Sequence, residues 1–335
     1  MKILIVRVGA MGDVLHALPG VAALRAARPE WEMDWVVDPR WAPLLADEAG
    51  RGPVARRIHL AETKLWSKAP ASPATLRSIF ELRKVLREER YALAVDLQGT
   101  LRSAVIGRMS GAGQFAGYSD PREALAKKFY RTPIERKGRH VIEQGATLLG
   151  EACGVALEPG GVELPHEEWA DRWAEEVVGD RRTCLLAAGA GWPAKCWGAA
   201  KYGALAIELK AMGFDVVVNA SRKEDALAGA VVAASGGAAR VVVCNVTGLI
   251  ALMRRMTVMV GGDSGPTHLA AALGIPLVAL FGPTDPERNG PRGRGPMVVL
   301  RDAASVTSYK RVSAEDAGLA KISVGAVVDV VQGLL

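Results

Sequence analysis

Short apolar runs of four to six residues recur along the chain, and stretches with apolar positions at i, i+3 and i+4 separate them. Runs of that length read as strands buried in a sheet, and the longer periodic stretches as helices covering it. The first half predicts strands at Ile3 to Val8, Met33 to Val37, Arg57 to Leu60 and Leu93 to Leu97. Helices are predicted over Val14 to Ala27 and Leu76 to Leu86. After the turn-forming segment Glu158-Pro159-Gly160-Gly161 the alternation starts afresh. Strands are then expected at Thr183 to Ala188, Asp215 to Asn219, Arg240 to Cys244, Val258 to Gly261 and Leu277 to Phe281, with a helix over Lys201 to Met212.

Alternating strands and helices imply βαβ units and a parallel sheet. The fold class expected is α/β, with two Rossmann-like doubly wound domains, 1–160 and 161–335, facing across a cleft. In such sheets ligands bind beyond the carboxyl ends of the strands, so the loops after strands are where chemistry belongs.

The first such loop, Gly9-Ala10-Met11-Gly12-Asp13, lacks the G-x-G-x-x-G spacing of a dinucleotide fingerprint. Asp13 would put a carboxylate where a pyrophosphate sits, which repels an anion. Two readings stand for it: a base that accepts a proton from a substrate hydroxyl, or a residue that only satisfies helix N–H groups. His16, one turn on, is a candidate to orient it. The second loop runs from Gly189 through Trp192 and Pro193 to Lys195, where a lysine after small residues can meet a diphosphate or simply lie exposed.

The third is Gly261-Gly262-Asp263-Ser264-Gly265-Pro266-Thr267-His268, where a strand gives way to a helix whose first amides and dipole attract an anion. Asp263 beside it suits sugar hydroxyls better than phosphate, which points to a nucleotide sugar. Asp263 or Ser264 could also be only a cap, and His268 a buried donor. The fourth, Phe281-Gly282-Pro283-Thr284-Asp285-Pro286, reads as a rigid turn. Ser221-Arg222-Lys223 and Asn245 follow strands and serve equally well as nucleotide contacts or as turn and cap residues.

Composition narrows the classes. A chain of 335 residues, 50% hydrophobic and 23% charged, has enough apolar surface for a packed core and is not a disordered tail. Cys153, Cys184, Cys196 and Cys244 form no C-x-x-C pair, so thiols are expected rather than a zinc site or a disulfide framework. The opening apolar run is too short for a secretory signal, so a chain beginning at Met1 is expected, and no stretch reaches the ~20 residues of a membrane helix.

The formal charge is +6, and it is uneven: residues 1–165 hold 24 Lys/Arg against 19 Asp/Glu, residues 166–335 only 18 against 17. The excess gathers around Lys64 and Lys68 and between Arg122 and Arg139, as an anionic partner or a solvated surface would require. No nucleic-acid motif accompanies it, and no nucleic-acid partner is expected. No H-e-x-x-H, G-x-S-x-G, Walker or D-x-D pattern occurs either, so charge on a leaving diphosphate falls to Lys195 and to Ser264 through His268.

Taken together, Met1 to Pro19, Asp96-Leu97-Gln98-Gly99, Lys195-Cys196-Trp197 and Gly262 to Ala272 resemble the ADP-heptose:lipopolysaccharide heptosyltransferases over nearly the whole chain. The Gly12-Asp13-Val14-Leu15-His16 form of the first loop is most similar to members that add the first heptose to Kdo-lipid A. The resemblance implies a GT-B fold, an N-terminal acceptor domain, a C-terminal donor domain and a last helix that can return to the first. It implies inversion without a metal or other cofactor, with ADP-heptose as donor and the anionic, lipid-linked Kdo-lipid A as acceptor. The enzyme is then expected in the cytoplasm, peripheral to the inner face of the membrane.

Residue by residue, the resemblance makes Asp13 the general base and Lys195 the donor-phosphate lysine. It makes Asp263, Ser264, Gly265, Thr267 and His268 the donor loop, and puts Gly12, His16, Lys64, Lys68, Gln98 and Arg122 toward the acceptor. Ala187-Ala188-Gly189-Ala190 stands where the family often has hydroxyl residues, which leaves phosphate contacts there to backbone N–H groups. Two rivals remain: a glycosyltransferase of the same fold with another nucleotide-diphosphate sugar or acceptor, and an NAD-dependent oxidoreductase using Asp38 as its ribose acid.

Overall fold

The computed structural model describes residues 1–309 and 316–335. The chain divides into two units, Met1–Pro165 and His166–Leu335; the sequence placed the boundary after residue 160.

The first unit contains strands β1 (Lys2–Val6), β2 (Glu32–Val37), β3 (Arg57–Leu60), β4 (Leu93–Asp96), β5 (Gln114–Tyr118) and β6 (Thr132–Ile134). Its helices are α1 (Met11–Ala27), α2 (Thr63–Lys68), α3 (Pro73–Glu88), α4 (Leu101–Met109) and α5 (Val141–Cys153). All six strands are parallel, in the order β3-β2-β1-β4-β5-β6. Ile3, Leu4, Ile5 and Val6 are all fully buried, as a parallel strand covered on both faces requires. Leu4 and Val6 share a core with Leu82 and Leu86 of α3, Ala104 and Ile106 of α4 and Ala126. Ile3 and Ile5, by the period of two, point to the opposite side of the sheet.

The second unit repeats the plan with β7 (Thr183–Ala187), β8 (Asp215–Ala220), β9 (Ala239–Val243), β10 (Val258–Gly262), β11 (Leu277–Leu280) and β12 (Met297–Leu300). Its helices are α6 (Glu168–Val178), α7 (Ala199–Ala211), α8 (Ala226–Ala234), α9 (Val246–Arg254), α10 (Gly265–Leu273), α11 (Pro286–Asn289), α12 (Ala317–Lys321) and α13 (Val324–Gly333). The sheet is again parallel, ordered β12-β11-β10-β7-β8-β9. In each unit the chain begins in the middle, builds to one side, and then returns to build the other. That leaves a switch point between β1 and β4 in the first unit, and between β7 and β10 in the second.

Several expectations need correction. Helix α1 begins at Met11, not near Val14, so Asp13 lies inside its first turn. Strands β5, β6 and β12 were not foreseen. The last helix belongs to the second unit: Val327 and Val331, one turn apart, are buried in a core with Trp197, Tyr202 and Leu280. The thiols expected of Cys153, Cys184, Cys196 and Cys244 are found, with no disulfide joining them. Among the described residues no helix is long and apolar enough to cross a membrane.

Candidate active site

In the first unit the loops after β1 and β4 meet at the switch point. The side-chain carbonyl of Gln98, after β4, accepts hydrogen bonds from the amides of Val8 (2.8 Å) and Gly9 (3.3 Å), after β1. Gln98 is held in turn by Asp96, which is fully buried and accepts from the amides of Gln98 (2.8 Å) and Gly99 (3.1 Å), Ser103 Oγ (2.8 Å) and the Tyr130 hydroxyl (2.7 Å). Burial nonetheless outweighs these four donors and pushes the Asp96 carboxyl above its ordinary range.

Arg7 completes the clamp. Its Nη2 lies 2.8 Å from Asp13 Oδ1, its Nε donates to the Asp13 carbonyl (3.2 Å), and its Nη1 donates to the Leu97 carbonyl. The other carboxylate oxygen, Oδ2, accepts from the Ala10 amide at 3.1 Å, so Asp13 does serve the helix start. Both readings of Asp13 thus have a physical basis. Each carboxylate oxygen has a second lone pair, and the side chain is 40% exposed, so acceptor capacity remains toward solvent. The sequence reading did not single out Arg7, which at the end of an apolar strand resembles an ordinary surface cation.

The other first-unit candidates are spread out. His16 lies edge-on to the His140 ring, with centroids 5.7 Å apart. Gly12 sits beside Asp13 in the first turn of α1. Lys64 and Lys68 are exposed on α2, and Arg122 is exposed in the segment that follows β5. That segment touches the Gln98 loop: the Glu123 amide donates to the Gly99 carbonyl at 3.0 Å. Gly99 has φ +70°, and a Cβ there would come within 3.2 Å of the Arg122 nitrogen, so both conformation and space favour glycine. Asp38, the ribose acid of the oxidoreductase reading, is buried and occupied by Arg40 (2.7 and 3.0 Å) and Thr63 (3.0 Å).

In the second unit, β10 runs beside β7, which brings the third loop against the second. A Cβ on Gly262 would lie 2.8 Å from the Lys195 carbonyl oxygen, so only glycine lets the two backbones approach this closely. The Lys195 ammonium pairs with the Asp263 carboxylate, donates to the Asp263 carbonyl (3.3 Å) and sits 4.1 Å from the Trp192 ring centroid. His268 Nε2 lies 3.3 Å from Asp263 Oδ1. Burial alone would raise the Asp263 carboxyl, but His268 and Lys195 outweigh it and hold the group well below the usual carboxylate range.

Helix α10 starts here without a side-chain cap. The Ser264 hydroxyl lies 3.3 Å from Thr267 Oγ1, which itself donates to the Gly262 carbonyl. Pro266 has no N–H, and among the described residues the Gly265 and Thr267 amides carry no intramolecular partner, which suits an anion at the positive end of the helix. Asn245 is a cap, accepting from the Gly248 amide at 2.8 Å, and Ser221, Arg222 and Lys223 are exposed. The fourth loop is a rigid turn: Arg301 Nε donates to the Gly282 carbonyl (3.1 Å), and Asp285 caps α11 through the Glu287 amide (3.0 Å). Among the described residues no cluster of three His, Cys, Asp or Glu is placed to hold a metal ion.

The model of glycosyltransferase family 9 (heptosyltransferase) matches residues 79–317. The chain is 31% identical over 301 residues to lipopolysaccharide heptosyltransferase 1 of Pseudomonas aeruginosa, covering 88% of this chain and 82% of that protein. It is 27% identical to the Escherichia coli protein of the same name, over 89% of this chain and 93% of the other. Among solved structures, the E. coli heptosyltransferase WaaC with ADP superposes with a TM-score of 0.82 at 22% identity, covering all of both chains. A family 9 glycosyltransferase from Veillonella parvula gives 0.84 at 21% identity, over 99% of this chain and 96% of that one.

Proposed function

This chain belongs to glycosyltransferase family 9, the heptosyltransferases, with the GT-B type of fold, and from that premise we propose a donor, an acceptor and a mechanism. The donor is ADP-L-glycero-D-manno-heptose, and the acceptor is a Kdo hydroxyl of Kdo-lipid A. The reaction is the first heptose transfer of lipopolysaccharide inner-core synthesis, carried out at the inner face of the cytoplasmic membrane. The observation that carries the reading is a division of chemistry between the two switch points. The first holds an oriented, solvent-reachable carboxylate; the second holds an uncapped helix N-terminus beside a lysine.

The step is a single displacement with inversion. The Kdo oxygen attacks the anomeric carbon of the heptose as the bond from that carbon to the diphosphate oxygen breaks. The hydroxyl proton passes to Asp13, and the electron pair of the broken bond leaves with ADP. Arg7 and the Ala10 amide hold the Asp13 carboxylate in place while it accepts the proton. The diphosphate competes with Asp263 for Lys195 and takes the Gly265 and Thr267 amides, which meets the developing charge without a metal. Asp263, released in part from Lys195, accepts hydrogen bonds from hydroxyls of the donor. A diphosphate leaves without protonation, so one carboxylate is sufficient.

The test is incubation with ADP-heptose and Kdo-lipid A in excess EDTA, following ADP release and the mass of the lipid product. The expected result is ADP release that requires both substrates, with one heptose added to the acceptor. Release that depends on added divalent metal, or no transfer to Kdo-lipid A, contradicts the reading.

A further inference from the structure

The outer faces of α3 and α4 carry a feature that the transfer chemistry does not use. Leu82 and Leu86 of α3 point into the core, while Leu76 and Phe80, one turn apart on another face, are 57% and 63% exposed. An exposed phenylalanine with a leucine beside it costs apolar hydration that a solvated face avoids. The same side of α3 continues into Arg83, Lys84 and Arg87. With Phe80, Glu88 and Arg90 these line a shallow depression of about 500 Å³. Arg83 and Arg90 carry no side-chain partner among the described residues, and Lys84 reaches Glu88 only at 4.0 Å.

Neighbouring elements repeat the pattern. Helix α4, tied to α3 by the Arg87 to Met109 hydrogen bond (3.4 Å), exposes Leu101 and Val105 beside Arg102 and Arg108. The 3-10 turn Ala124–Phe129, packed on α4, exposes Leu125 beside Lys127 and Lys128. Residues 60–131 hold 13 Lys/Arg against seven Asp/Glu, one of which, Asp96, is buried.

We propose that this face of the first unit docks on an anionic phospholipid bilayer. Phe80 and Leu76 enter the interfacial layer, and Arg83, Lys84, Arg87 and Arg90 take lipid phosphates. Apolar side chains ringed by long cationic ones suit that boundary, since the stems lie in the apolar layer while the charged ends stay among headgroups. The charge selects the occupant: a second copy of the chain would set these cations against each other, whereas anionic lipid neutralises them. The proposal rests on the reading that the acceptor is lipid-linked. Vesicles that contain no acceptor test it apart from the transfer reaction.

The experiment is vesicle flotation of the full chain, with phosphatidylcholine alone and with 30% phosphatidylglycerol (~30% being an amount that gives a negative surface potential). The chain is expected to float with the anionic vesicles only, and to be released at high salt. Replacing Arg83, Lys84 and Arg87 with Ser is expected to weaken binding roughly a hundredfold at low salt, and L76A/F80A about tenfold. R172S/K210S, on exposed sites of the second unit, is expected to bind as the parent does. Thermal melting identifies any variant that fails to fold, and Arg83→Ser alone then replaces the triple. Absence of binding by the parent, equal loss in the second-unit control, or a concentration-dependent dimer that L76A/F80A dissociates would overturn the proposal.

Discussion

At the scale of single residues, the second unit depends on a carboxylate that burial opposes. Asp263 remains ionised because Lys195 and His268 stand against it, and breaking such a pair leaves a buried charge without compensation. Its folded pKa lies below the unfolded value of about 3.9. Its contribution to stability is therefore fully present above that value, and is lost as pH falls toward the lower folded one. The urea midpoint of the parent should exceed that of Asp263→Asn at pH 7, and the gap should begin to narrow as pH falls below about 4. A gap that stays constant down to pH 3 would show that the ion pair does not set it.

Lys195→Ala probes the same pair from the donor side. It is expected to raise the KM for ADP-heptose about ten- to a hundredfold, the worth of a charge-assisted contact to phosphate. An unchanged KM in a variant that melts cooperatively would remove Lys195 from the donor site.

Elements explain how these residues come together. Parallel strands buried on both faces read as runs of Val, Ile and Leu, which is why β1, β2, β7, β10 and β11 were legible in the chain. The strands that were missed are edge or near-edge ones with weaker signals. β5 includes Gly117, β6 is three residues long with Pro133 in the middle, and β12 follows a Gly- and Pro-rich segment. Proline and glycine are tolerated there because an edge has fewer ladder bonds to lose.

The candidate residues were placed on strand-to-helix loops for the same reason that the strands were legible. The partners of those residues were not legible. The Lys195–Asp263 pair depends on β7 lying beside β10, and the Gln98 clamp on β1 lying beside β4. Neither adjacency is written in local sequence. Gln98, assigned toward the acceptor, uses its carbonyl to hold Val8 and Gly9. Gln98→Ala should therefore lower stability by about 1–3 kcal/mol, the cost of leaving those amides unpaired. A chemical denaturation curve that superposes on the parent's would contradict this role.

On the scale of the whole molecule, each unit is complete in its own sheet and core, and on the proposed mechanism each offers one half of the reaction. The proposed general base, Asp13, lies in Met1–Pro165, and the proposed donor loop in His166–Leu335. The basic excess and the exposed apolar side chains of α3 and α4 lie in the half assigned to the lipid-linked acceptor. Disturbing the base should then affect the chemical step and leave the donor's hold on the other unit intact.

The most direct measurement compares the parent with Asp13→Ala at saturating ADP-heptose and Kdo-lipid A. A fall in kcat of about 10²–10⁴ is expected on loss of a general base, with the KM for ADP-heptose within about threefold of the parent, since uniform donor binding is untouched. A variant that retains kcat within about tenfold of the parent, below the range a general base supplies, would contradict the account.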